Sequence, residues 1–233
     1  MENFFEKQEV LMGWLLRSLN SSIGKQFIMA VTGICLILFL MIHLINNLLL
    51  FAGPEIFEAN VENLEHIKPL IRVIELILLS IFVFHIFNGV KLWFENKKAN
   101  PIKYAINAER ENTTISSRTM AITGTTIFLF LVIHLSKMWV EFNFAEKIAG
   151  AEFHYYEIVK TVFSNPIISA LYVIAMGFLA FHLNHGFQSA FQTFGWNHKK
   201  YTPLITRIGM IYSILVALGF ASVPIYFYLS SLG

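Results

Sequence analysis

Four of the eight histidines in this 233-residue chain stand at repeated positions. Thr32-Gly33 is followed, ten residues after the glycine, by His43-Leu44; Thr123-Gly124 is followed at the same spacing by His134-Leu135, a constant offset of 91 residues. The approach is shared too, Leu-Phe-Leu-Met-Ile-His against Leu-Phe-Leu-Val-Ile-His. A second match has an offset of 97, Phe84-His85-Ile86-Phe87-Asn88-Gly89 against Phe181-His182-Leu183-Asn184-His185-Gly186. The repeat unit is therefore a pair of segments used twice. It groups His43 with His134 and His85 with His182.

Neutral imidazoles on facing helices suit bis-histidine ligation of a b-type haem, and two pairs at two depths make a two-step electron path. Intramembrane histidines can instead bond helix to helix, or carry protons or metal ions in a transporter. Cys35 is the only cysteine, which removes disulfides, cysteine-based zinc sites and iron–sulfur clusters together. No Cys-x-x-Cys-His occurs, so a haem here is held without covalent attachment. The glycines favour haem. Gly89 and Gly186 stand one turn from His85 and His182 on nearly the same face, where a side chain would block a macrocycle. Gly33 and Gly124 lie about 15 Å along their helices from His43 and His134, near the depth of the other pair, where they let a macrocycle approach. A transporter leaves these positions unexplained. His185 aligns with Asn88 and is expected to be a polar neighbour suited to a haem propionate; His66, His154 and His198 are expected in loops, solvated.

The elements that must position these residues follow from composition. Only 14% of the chain is charged, against roughly 25% in a soluble domain, and 56% is apolar with 23 phenylalanines. That excludes a soluble catalytic domain, and 17 Lys+Arg against 15 Asp+Glu argue against a nucleic-acid partner. Charge-poor stretches predict five spans at about 23–51, 69–94, 118–142, 165–194 and 204–230. Pro69, Pro166 and Pro203 fall at or just before span starts, where a missing N–H costs nothing. The expected fold is all-α, one domain over 1–233, an integral membrane bundle of five transmembrane helices with two b haems between the first four.

Twelve basic residues fall on or beside the N-terminal side of the membrane and five on the other, placing the N-terminus in the cytoplasm and the C-terminus outside. Residues 1–22 are expected as an amphipathic helix on the inner surface, since Phe4, Phe5, Leu11, Met12, Leu15, Leu16 and Leu19 recur near helical spacing. Glu2, Glu6 and Glu9 precede any apolar run, unlike a signal peptide. His43 then lies about 12 Å inward from Phe51, and His85 roughly 24 Å inward from Pro69. The two pairs sit at two depths, His43 and His134 outer, His85 and His182 inner.

This pattern resembles the cytochrome b subunit of the succinate dehydrogenase and fumarate reductase family, in its five-helix, single-anchor, two-haem form. Phe181-His182-Leu183-Asn184-His185-Gly186-Phe187-Gln188-Ser189-Ala190-Phe191-Gln192-Thr193, with Gly195-Trp196-Asn197 after it, looks like the b558 branch. The resemblance implies His85 and His182 as axial ligands of the inner, proximal haem and His43 and His134 as those of the outer, distal one. It implies flavoprotein and iron–sulfur subunits docked on the inner face, menaquinone reacting near the distal haem, and a place in electron transport on the cytoplasmic membrane. Some relatives carry a glutamate two residues before the span-four ligand for proton transfer; here that position is Ala180. A quinol-oxidising cytochrome of the bc type does not match, because it places two ligands on one helix.

Quinone reduction needs a proton-exchanging group near the outer haem. Glu75, ten residues before His85, lies about 15 Å outward of it with Arg72 one turn away. Glu58, Glu62, Glu65 and His66 are alternatives. Equally, Arg72 and Glu75 form an ion pair that closes a helix end. Lys137 is placed to meet a propionate of the outer haem, and Ser21, Ser22, Lys25, Lys91, Ser117 and Arg118 cluster at the inner boundary, where snorkelling toward headgroups is the expected role of each cation. Trp14, Trp93, Trp139 and Trp196 fit an interfacial belt.

Overall fold

The computed structural model describes residues 13–14, 17–99, 118–149 and 154–233. Most of the expected surface helix over 1–22 lies outside these. Among the described residues every regular element is a helix: α1 (Ser22–Leu48), α2 (Pro54–His66), α3 (Lys68–Ala99), α4 (Met120–His134), α5 (Val140–Ala149), α6 (Tyr155–Ser164), α7 (Pro166–Thr193) and α8 (Thr202–Ser230). A 3-10 turn, Leu49–Ala52, extends α1, and a π-helical turn, Leu135–Trp139, joins α4 to α5. Among the described residues five helical stretches are long and apolar enough to cross a membrane: Ser22–Ala52, Lys68–Lys98, Met120–Phe144, Pro166–Thr193 and Thr202–Ser230.

Local chemistry sets the helix starts. Ser21 caps α1 by accepting from the Gly24 N–H at 3.0 Å. Asn165 caps α7 by accepting from the Ile167 and Ile168 amides, with Pro166 in the first turn, where it gives up no hydrogen bond. Gly53, at φ +100°, turns the chain from the 3-10 turn into α2 in a backbone conformation that favours glycine.

α7 is the central helix. It packs along α8 and also against α1 and α4, while α3 packs on α1. One core cluster, Ile37, Ala175, Met176, Leu179, Leu183, Val216, Ala217 and Ala221, joins α1, α7 and α8. A second lies at one end of the bundle, hereafter the distal end. There Leu50, Phe57, Val159, Phe163, Tyr172, Val223 and Phe227 seat α2 and α6 over the spans. Glu58 reaches across, its Oε1 accepting from the Tyr156 N–H at 2.7 Å and so satisfying a first-turn amide of α6.

The short helices α2 and α6 correct the expectation of plain loops between spans. His66 is the last residue of α2 and His154 the N-cap of α6, both exposed; His198 does lie in the exposed connection before α8. Lys25 also differs from the snorkelling cation expected. It is only 8% exposed, and its Nζ donates to both carboxylate oxygens of Glu95 on α3 at 2.6 and 2.8 Å. Burial beside a carboxylate removes the reason to reach for headgroups.

Candidate functional site

Extensive helix packing joins α1 to α3, α1 to α7, α4 to α7 and α7 to α8. The four repeated histidines instead reach across the diagonals of this arrangement. His43 on α1 meets His134 on α4 with ring centroids 5.8 Å apart and planes at 84°. His85 on α3 meets His182 on α7 at 6.4 Å and 67°. All four rings are half-buried. His43 and Thr32 are eleven residues apart on α1, and Thr32 contacts His85, so the two pairs are separated by about 16 Å along the bundle, roughly half the hydrocarbon thickness of a bilayer.

At the proximal pair the Thr-Gly dipeptides lie against the imidazoles. Thr32 Oγ1 is 3.0 Å from His85 Nδ1, and Thr123 Oγ1 is 3.3 Å from His182 Nδ1. A methyl at Gly33 would sit 3.7 Å from His85 Cε1, and one at Gly124 3.5 Å from His182 Cε1. Both are ordinary van der Waals distances, so α1 and α4 run close along the ring edges with room for no more than a methyl at these two positions. A methyl at Gly186 would meet nothing within 4 Å and one at Gly89 only the Met29 Cε at 3.6 Å, so there is room one turn beyond each proximal histidine. His185, one turn past His182, is half-buried.

The distal pair is built differently. The Tyr172 hydroxyl on α7 lies 3.4 Å from His134 Nδ1, Phe39 stacks on His43 at 5.4 Å, and Phe220 on α8 approaches the same ring at 5.5 Å. Gly219 lets α8 come close here: a methyl on it would meet Leu44 Cδ1 at 2.8 Å. Immediately after His134 the backbone enters the π turn, a feature frequent at functional sites.

Of the residues singled out for quinone chemistry, Arg72 and Glu75 are together and Glu58 is apart. Arg72 Nη1 pairs with Glu75 Oε2 at 2.6 Å, and its other terminal nitrogen bonds Asn143 Oδ1. Trp139 Nε1 donates to Glu75 Oε1 at 3.2 Å, and the guanidinium lies 5.6 Å over the Trp139 ring. The ion pair that would close a helix end is thus present, tied to the π turn of the next span. Glu58 is occupied in capping α6. Tyr172, Thr32 and Thr123 were not singled out by sequence reasoning as histidine partners. The signal existed: the offset of 91 pairs Thr32 with Thr123, and the offset of 97 sets Tyr172 opposite Glu75.

Fold and site together define a multi-pass helical membrane protein with two imidazole pairs stacked between its helices. The family model of the succinate dehydrogenase/fumarate reductase transmembrane subunit matches residues 27–107 and 95–221, one match holding the first two spans and the other reaching from the third into the fifth. The chain belongs to that family, as a membrane subunit that associates with the other subunits of such a complex. No curated protein and no solved structure matches.

Proposed function

We propose that this chain is the di-haem cytochrome b anchor of a succinate:quinone oxidoreductase, passing electrons between an iron–sulfur subunit and a quinone, menaquinone by resemblance. The observation that carries this reading is the pair of facing imidazoles at each of two depths. With metal–nitrogen bonds of about 2 Å and roughly 1 Å from each nitrogen to its ring centre, two imidazoles sharing one ion have centroids about 6 Å apart. The observed 5.8 and 6.4 Å fit. Each pair offers only two nitrogen ligands, and a macrocycle would supply the remaining ligands of an iron held there. The room beside Gly186 and Gly89 suits a flat group.

His85 and His182 hold the proximal haem and His43 and His134 the distal one; each iron, when bound, supplies a one-electron relay. The flavoprotein and iron–sulfur subunits dock on the cytoplasmic face beside the proximal pair, with the N-terminus on that side and the C-terminus outside. Quinone reacts at the distal end, where two electrons and two protons must meet. Glu75, about a third exposed, takes each proton from water at the outer surface and passes it on there. Arg72 and Trp139 hold its carboxylate in place.

The test uses the assembled complex. Succinate should reduce the haem remaining in a His43→Ala complex while quinone reduction is lost. Undiminished quinone reduction in that complex would contradict the two-step path.

A further inference from the structure

The Thr-Gly dipeptides are not explained by the room their glycines leave. Thr32 is 9% exposed and Thr123 only 2%, and both place a hydroxyl on a proximal imidazole. Thr32 Oγ1 also lies 2.7 Å from the Ile28 carbonyl oxygen, to which it donates. A hydroxyl has one proton. With that proton on the Ile28 carbonyl, Thr32 can only accept from His85, so Nδ1 carries the hydrogen and the Nε2 lone pair is left free. Thr123 repeats the arrangement, donating to the Met120 carbonyl at 3.2 Å and facing His182 Nδ1 at 3.3 Å. Among the described residues no threonine hydroxyl meets a distal imidazole; His134 meets the Tyr172 phenol instead.

We propose that Thr32 and Thr123 are positioning residues that fix His85 and His182 as Nε2 ligands and lower the potential of the proximal centre. This rests on the haem reading above. A hydroxyl accepting from Nδ1–H makes the imidazole a stronger donor through its other nitrogen and holds the ring's rotation. A more electron-rich ligand favours the oxidised metal. The two centres therefore differ because one pair is held by threonine hydroxyls and the other is not. Back-bonding to the preceding turn, common for helical threonines, here sets the direction of the second bond.

The experiment compares wild type, Thr32→Val, Thr32→Ser and Thr123→Val in the full chain, by redox titration of the haem absorbance and by low-spin electron paramagnetic resonance of the oxidised protein. Valine keeps the branched shape without the acceptor. The expected result is an upward shift in midpoint potential and a moved resonance for one centre in both valine variants, or loss of that haem, with wild-type values in Thr32→Ser. The centre removed by His43→Ala should not move. Potentials and resonances identical to wild type in both valine variants overturn the proposal, as does a shift confined to the distal centre. If Thr32→Val fails to fold, Thr123→Val reports on the same centre from a different helix. A wild type without haem fails at the earlier step and overturns the haem reading itself.

Discussion

Tyr172 and Glu75 occupy the same register in the two halves of the chain, each ten residues before a proximal histidine, His182 and His85 respectively. Tyr172 uses this place to bring its hydroxyl to 3.4 Å from His134 Nδ1. Glu75, at the same depth, is tied to Arg72 and Trp139. One half thus offers a phenol to the distal pair, and the other places a carboxylate at its level.

Tyr172→Phe should move the potential of the distal centre and leave the proximal one unchanged. The fold should lose only about 1 kcal/mol, the net value of one hydrogen bond. Redox titration with a detergent melting curve checks both halves of the statement. A shift in the proximal centre would contradict the assignment of depth.

Glu75→Gln keeps the shape and the Trp139 contact and removes the exchangeable carboxyl proton. Quinone reduction by the complex should fall about a hundredfold or more, the range for losing a positioned proton donor. Succinate should still reduce both haems. Spectra taken beside the turnover assay separate the two, and loss of haem reduction would place Glu75 elsewhere in the path.

Gly186→Leu adds bulk where a methyl meets no atom within 4 Å. The chain should fold as before and lose the proximal haem alone. Haem content measured against protein, with size-exclusion behaviour as the folding check, decides this. Retention of both haems would mean that the space beside His182 is not used.

Lys25 and Glu95 test how the spans are held. Breaking a buried ion pair by removing one partner costs about 3–5 kcal/mol, and the 42% exposure of Glu95 reduces this to about 1–3. Glu95→Gln should therefore lower the melting temperature clearly. Glu65→Gln, which breaks the exposed pair with Lys68, should cost under about 1 kcal/mol.

Much of this architecture was legible in the sequence because charge avoidance is a strict rule in a bilayer. The gap between Lys25 and Glu55 marks the first span, and Pro166 marks the start of the fourth. The pairing of histidines was legible because the repeat states which helices are equivalent. What escaped is set by contacts between helices at short range. α2 and α6 are too short and too polar to stand out, yet Phe57, Val159 and Phe163 bury their rings and methyls against the distal core. In the sequence Lys25 looks like a boundary cation because its partner, Glu95, lies 70 residues away on another helix. The repeat marks Thr32 and Thr123 as equivalent, but a hydroxyl bonded to an imidazole 53 residues on leaves no mark in local spacing that names its partner.

The most direct measurement is a pyridine haemochrome assay on the purified chain, with reduced-minus-oxidised spectra of wild type, His43→Ala and His85→Ala. Two b haems per chain are expected, with each substitution removing a different one. A folded, colourless wild type, produced with haem available, would contradict the account and turn the imidazole pairs toward proton or metal transport.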